Sequence, residues 1–243
     1  MFLRPFIAAA GLALALQSPA APAGEIKQNP RVVVELFTSQ GCSNCPAADA
    51  MFDELSKKSD VIGLAYHVDY WDYRGWPDTF GSEANSDRQR AYNTAWGSSR
   101  IFTPQMVVNG RDGVVASRKG EVGKAVDKAG LELEVTLTAE GDVLEISIPP
   151  NAGLEDAMVW LVSYLDRSDV KIERGENEGK TVTYSQIVFD RQVLGMWEPA
   201  TGAHFKLPLE EVLVDPANGA VILVQQEQAG MPGRILSAAS FLR

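Results

Sequence analysis

Cys42 and Cys45 are the only cysteines in the 243-residue chain, and two residues separate them. The run Val32–Phe37 leads into them as a strand-like segment, and Ala47–Lys58 leaves them with helical spacing. A strand that delivers a Cys-x-x-Cys to the first turn of a helix is a common form of redox site. The attacking species is the thiolate, and free cysteine has a pKa of about 8.5. At a helix N-cap, unpaired N–H groups and the helix dipole favour negative charge. Cys42 is therefore predicted at the N-cap as the exposed nucleophile, and Cys45, one turn in and more buried, as the resolving thiol.

Other readings of the pair stay open. A plain structural disulfide across four residues stabilises by only about 2 kcal/mol in the loop-entropy picture. A structural zinc site wants four ligands, whereas the chain has two Cys and two His. Cu(I) needs only two or three soft ligands, so Cys42, Cys45 and His67 form an alternative copper-handling set. A peroxide-reducing variant would take Cys42 through a sulfenic acid. The leading expectation is no metal and no cofactor beyond the redox-active disulfide itself, with protein thiols and disulfides or a small thiol as partners.

Further candidates surround the pair. Glu35 interrupts an apolar strand; pointed inward beneath Cys45, it would have a raised pKa and could shuttle the resolving thiol's proton. An edge or outward-facing acid fits the sequence equally well. His67 and Asp69 lie at the carboxyl end of the predicted strand Val61–Val68, the binding edge of an open α/β sheet. His67 could tune the thiolate or be a half-buried structural histidine. Tyr70, Trp71, Tyr73 and Trp76 could line a peptide groove or form a local mini-core.

The elements that must hold these residues follow in order. The apolar run Arg31–Phe37 suits a buried parallel strand. Ala48, Met51, Phe52 and Leu55 give the next helix one apolar face, and Pro46 is tolerated in its first turn. A helix is predicted over Ser86–Trp96, a strand over Gln105–Val108, a hairpin turn at Asn109–Gly113, a return strand over Val114–Ser117 and a helix over Glu121–Ala129. Over Arg31–Gly130 this order resembles the thioredoxin fold. The residues that carry the resemblance are Cys42-Ser43-Asn44-Cys45-Pro46 and Thr103-Pro104. It implies a cis Pro104 facing the disulfide, with the Thr103 backbone turned to pair with a substrate strand. Two departures are Gly41, where thioredoxins usually carry Trp, and the dipeptide Ser43-Asn44, which lacks the Pro or His of well-known reductants and oxidants.

Within that superfamily the chain resembles DUF1223, a group of exported bacterial proteins. The shared segments are Glu35-Leu36-Phe37-Thr38-Ser39-Gln40-Gly41-Cys42-Ser43-Asn44-Cys45-Pro46, His67-Val68-Asp69-Tyr70-Trp71 and Thr103-Pro104-Gln105-Met106-Val107-Val108-Asn109-Gly110. The resemblance implies export and a thioredoxin-like fold but no established reaction.

From Leu131 the pattern turns to period two. Val143–Ile148, Ala157–Leu165, Thr181–Phe189 and Ala220–Gln225 are further predicted strands. The expected architecture is a thioredoxin-like α/β domain (31–130) followed by a mostly antiparallel, sandwich-like β domain (131–243). Gly175–Thr181 has the look of a phosphate loop, but only three residues separate its glycines where four are needed. It reads as a hairpin turn.

Residues 1–23 have the form of a secretory signal peptide: Arg4, an apolar run from Pro5 to Leu16, and Ala21-Pro22-Ala23 before Gly24. Residues 24–30 read as a mobile polar leader. The expected location is periplasmic or secreted, where a disulfide persists, with no membrane span once the signal is cleaved. The net charge of -10 argues against nucleic acid and anionic lipid surfaces, which need clustered Lys and Arg.

Overall fold

The computed structural model describes residues 24–243. The predicted signal peptide, 1–23, lies outside them. The segment 24–30 is not a loose leader. Strand β1 (Glu25–Gln28) pairs antiparallel with the last strand of the chain, from Glu25 opposite Leu242 to Gln28 opposite Ala239. Strand β2 (Val32–Thr38) leads to helix α1 (Pro46–Ser56), β3 (Val61–His67), a single 3-10 turn (Asp72–Arg74) and helix α2 (Glu83–Ala95). Strands β4 (Gln105–Val108) and β5 (Asp112–Val115) and helix α3 (Lys119–Lys128) complete the first half.

Strand β2, opening on Val32-Val33-Val34, and strand β3 are buried along their whole length and run parallel, as near-continuous apolar runs do. Side-chain alternation along β2 splits the core. Val32, Val34 and Leu36 pack against α1 and α3 residues such as Phe52 and Val126, whereas Val33 and Phe37 share a cluster with Tyr92 of α2. Helix α1 lies close on the sheet: a Cβ at Gly63 would fall 2.8 Å from Phe52. The turn between β4 and β5 holds Asn109 at φ 47° and Gly110 at φ 67°, the left-handed pair that a tight hairpin requires.

The second half contributes β6 (Thr136–Glu140), β7 (Val143–Ile148), β8 (Ala157–Lys171), β9 (Thr181–Trp197), β10 (Ala203–Pro208), a short helix α4 (Leu209–Val212), β11 (Gly219–Gln228) and β12 (Met231–Leu242). It does not form a sandwich of its own. Strand β9 joins β3 in parallel at Ala65 and Ile187, so one nine-stranded sheet runs in the order β1-β12-β11-β8-β9-β3-β2-β4-β5. The division expected at 130/131 therefore does not divide the sheet. The physical reason is the open edge β3 would otherwise present, a row of unpaired N–H and C=O groups. The sandwich-like part is local. A three-stranded sheet, β10-β7-β6, packs Leu144 and Ile146 against Val159, Ile222 and Phe241 of the large sheet.

Besides β1, the strands β10 and β12 were not expected. Strand β12 is rich in Ala and Ser and buried over most of its length, so neither an alternating pattern nor a run of large apolar residues marks it. Strands β8 and β9 extend to Lys171 and Trp197, well past the predicted ends at Leu165 and Phe189. Among the described residues no helix is long and apolar enough to cross a membrane.

Strand β1 also closes α1. The Lys27 ammonium donates to the carbonyls of Ser56 (3.0 Å), Lys58 (2.9 Å) and Val61 (2.9 Å), which takes up acceptors freed at the helix C-terminus. Lys27→Ala is expected to cost about 1–3 kcal/mol in a urea titration. An unchanged midpoint would mean that these three bonds are made equally well by water.

Candidate functional site

Strand β2 ends at Thr38, and the chain then turns through Ser39-Gln40-Gly41 into the cysteines. Cys42 and Cys45 are joined in a disulfide with a Cα–Cα distance of 5.4 Å. The Cys45 N–H donates to the Cys42 carbonyl (3.1 Å), and the Cys45 carbonyl accepts from Ala48 and Asp49. Cys45 is thus the N-cap of α1, with Pro46 at the first helical position. The predicted cap, Cys42, lies one turn upstream. It is also not exposed: Cys42 is 4% accessible and Cys45 0%.

Beneath the pair sits a buried polar cluster. Asp49 follows Cys45 by four residues, on the same helix face. Its Oδ1 accepts from the Thr38 hydroxyl (2.7 Å), while its Oδ2 is buried without a partner. His67 at the end of β3 is fully buried, and its Nδ1 contacts both oxygens of Asp78 at 2.9 and 3.1 Å. Asp78 also accepts from the N–H groups of Gln40 (2.7 Å) and Phe80 (2.9 Å). Tyr184 of β9 packs edge-on to His67 at 4.8 Å between ring centroids, with its hydroxyl unpartnered. The unpartnered atoms Asp49 Oδ2, His67 Nε2 and Tyr184 Oη thus belong to one cluster.

Charge orders this cluster. Burial pulls the His67 pKa down, but the charge and hydrogen bond of Asp78 outweigh it and the net shift is upward. Burial pushes Asp78 up, and His67 with the two backbone N–H donors brings it below the usual carboxylate range. The two form an ion pair. Asp49 has no such partner. Burial lifts it to about 7, against the opposing pull of the Thr38 bond and the His67 charge.

A loop from the second half roofs the pair. Asn177 Nδ2 donates to the carbonyls of Gln40 and Cys42, both at 2.9 Å. Glu176 pairs with Arg74 (2.9 Å), and the Lys180 ammonium donates to Asn177 Oδ1 (2.8 Å). This is the glycine-bearing Gly175–Thr181 stretch, and it joins β8 to β9 as a hairpin.

The residues 33–225, which include both cysteines, Asp49, His67, Asp78 and Asn177, match the family described as Protein of unknown function (DUF1223). The chain belongs to DUF1223. An X-ray crystal structure of an Agrobacterium tumefaciens protein is similar at 35% identity, covering 88% of this chain and 95% of that one, with a TM-score of 0.79. The structure of HBP35 of Porphyromonas gingivalis is similar at 15% identity, covering 87% and 74%, with a TM-score of 0.54, a likeness of fold alone. No curated protein matches the chain.

The other predicted site residues of this DUF1223 protein fall in several places. The Thr103–Pro104 peptide is cis. The Trp71 indole donates to the Thr103 hydroxyl at 2.7 Å, and a Cβ at Gly41 would lie 3.2 Å from Trp71. Gly41 therefore gives Trp71 room beside the disulfide loop. Trp76 donates to Gln40 Oε1 (2.8 Å), and Asp69 accepts from Ser86 (2.6 Å). Trp71, Trp76 and Tyr70, which donates to Gln89, tie the loop down rather than lining an open groove; Tyr73 is 74% exposed. With the disulfide closed and Asp78 on His67, Cys42, Cys45 and His67 do not come together as a ligand set. Among the described residues no group of three or more His, Cys, Asp or Glu is placed to hold a metal ion.

Glu35 is buried but faces the wrong side for a shuttle. It shares the α2 side with Val33 and Phe37, where its Oε1 accepts from Arg88 Nη2 (2.6 Å) and Nε (2.9 Å) and its Oε2 from the Tyr92 hydroxyl (2.5 Å). The buried acid on the cysteine side is Asp49. A helical projection from Cys45 would have found it, because residue 49 stacks over residue 45 and beside the apolar Ala48 and Phe52. Asp78, Asn177 and Tyr184 carry no such local signal.

Two outcomes follow. Folded Asp49 keeps its proton up to about pH 7, whereas an unfolded Asp ionises near 4. The folded state then binds the extra proton, so this group's contribution to stability falls as pH rises from about 4 to 7. Urea titrations of Asp49→Asn should show a gain over wild type of about 1–4 kcal/mol at pH 8 that vanishes at pH 4. Equal differences at both pH values would contradict the shift. Glu35→Gln leaves Arg88 buried without its ion pair and should lose about 3–5 kcal/mol in the same urea titration; an unchanged midpoint would contradict this.

Proposed function

We propose that this DUF1223 protein is an exported thiol–disulfide oxidoreductase acting on protein or small thiols through Cys42 and Cys45. The observation that carries the reading is a closed Cys42–Cys45 bond at the start of α1 with a buried acid, Asp49, one helical turn below Cys45. A pKa of about 7 lies close to that of a thiol, so one group can both give and take the resolving proton at neutral pH. We read β3-β2-β4-β5 with α1, α2 and α3 as a thioredoxin-type module, which the parallel β2–β3 pair and the antiparallel β4 support. Export is part of the proposal, on the strength of residues 1–23.

In the oxidising direction a substrate thiolate attacks Sγ of Cys42, the less buried of the two cysteines. The substrate–Cys42 bond forms and the Cys42–Cys45 bond breaks. Cys45 leaves as a thiolate and takes the proton of Asp49. A second substrate thiolate then attacks the substrate sulfur of the mixed disulfide and releases Cys42 as a thiolate. Two substrate thiols have become a disulfide, and their two electrons are held as the Cys42/Cys45 dithiol. The reducing direction runs through the same steps backwards, with Asp49 as base. Access to Cys42 requires the Asn177 loop to lift, so the loop acts as the gate.

Cys42→Ser should abolish exchange, and Cys45→Ser should accumulate partners as mixed disulfides on Cys42 in the exported compartment. Asp49→Asn should slow exchange by about 10²-fold and flatten its pH dependence near 7, at full folding by circular dichroism. No trapped species, together with no thiol oxidase or reductase activity in wild type, would sink the proposal.

A further inference from the structure

On the α2 side of the sheet, away from the cysteines, lies a second buried charge system. Arg88 of α2 and Arg191 of β9 flank a cavity of about 160 Å³, with Tyr66, Asn85, Phe189 and Asp190 among its lining residues. Among the described residues Glu35 is the buried carboxylate facing the two guanidinium groups, and both its oxygens are engaged: one takes the Nε and Nη2 groups of Arg88 and the other takes the Tyr92 hydroxyl. Arg191 makes no ion pair among the described residues. Its Nη2 lies 3.5 Å from Gln225 Oε1, an oxygen that Arg88 Nη2 already holds at 3.0 Å. Among the described residues Arg191 Nε is buried with no partner, and the Tyr66 hydroxyl, close to the Glu35 carboxylate, makes no hydrogen bond at normal distance. Tyr66 itself is 1% exposed.

A buried guanidinium without an anion is costly, and buried donors without acceptors are rare in native proteins. We propose that this cavity binds a small monocarboxylate, with the unpartnered Arg191 Nε edge and the Tyr66 hydroxyl as donors and Phe189 against the alkyl end. The proposal does not rest on the redox reading. The face of the Arg191 guanidinium is covered by Trp160, 3.3 Å from the ring centroid, so what it offers is its N–H edge. That edge matches the two oxygens of a carboxylate. The volume is well below the roughly 300–1,000 Å³ of pockets for larger ligands, which excludes nucleotides and peptides. Charge selects a monoanion. One guanidinium lacks a partner, while Asp190, exposed at the cavity, opposes a second negative charge. Burial and the neighbouring Arg88 charge lower the Arg191 pKa to about 10, a penalty that a bound anion offsets.

The test is calorimetric titration of the oxidised full chain with acetate, propionate and butyrate at pH 7 and constant ionic strength, with chloride and inorganic phosphate as comparison anions. The expected result is saturable one-site binding of at least one carboxylate, tighter than chloride or phosphate. Arg191→Gln should weaken it at least about tenfold, and Tyr66→Phe severalfold. Arg191→Lys keeps the charge but not the two-donor edge and should lose affinity as Arg191→Gln does; circular dichroism checks that each variant is folded. Disulfide exchange by the same variants should match wild type, so this site and the redox site fail separately. No saturable carboxylate binding, tighter phosphate binding, or wild-type affinity in both folded Arg191 variants would overturn the proposal.

Discussion

The carboxylate of Asp78 is the constraint on which the site depends. It sits in the loop before α2, yet it accepts from the backbone of the cysteine turn at Gln40, from its own loop at Phe80 and from the ring of His67 at the end of β3. One buried charge thereby fixes three segments that are distant in sequence. Buried carboxylates persist only when their lone pairs are met, and these are met by a cation and two amides. The cost of disturbing any one partner is therefore shared by the turn that carries Cys42. Asp49, lacking a counter-charge in the same cluster, stays poised near neutrality because His67 is already committed.

Alternation along two adjacent strands keeps this chemistry apart from a second charge system. Tyr66 and His67 are neighbours on β3 and face opposite sides of the sheet, as Glu35 and Thr38 do on β2. His67, Thr38 and Asp49 meet on the side of α1, whereas Tyr66, Glu35, Arg88 and Arg191 meet on the side of α2. The sheet itself insulates the two. A register slip of one residue in β3 would exchange them, which makes the valine and tyrosine packing of these strands a determinant of the chemistry as well as of the fold.

The first half was largely legible in the sequence because its signals are local. Val-Val-Val, the Cys-x-x-Cys with Pro46 and Asn109-Gly110 each specify their own element within a few residues, and β4 begins and ends where its pattern does; α2 begins at Glu83, three residues before the predicted Ser86, because its cap, Ser82, was not read as one. The second half was read as separate because its strands alternate in the manner of an independent antiparallel unit. Whether such strands close on themselves or extend another sheet depends on pairing at Ala65 and Ile187, more than a hundred residues apart, which no local pattern encodes. The same holds at the site. The cysteines announced themselves, Asp49 was within reach of a helical projection, and Glu35 misled because parity along β2 was not carried through. Asn177 and Tyr184 arrive only by tertiary contact.

The roof over the cysteine turn has a consequence in time. Asn177 follows Cys42 by 135 residues, so on a chain emerging from its amino end the turn exists long before this side chain can cover it. Throughout that interval the two sulfurs are open to whatever thiols and oxidants meet the nascent chain. The pair therefore meets its first thiols and oxidants before the hairpin between β8 and β9 can close over it, and later ones only past that hairpin.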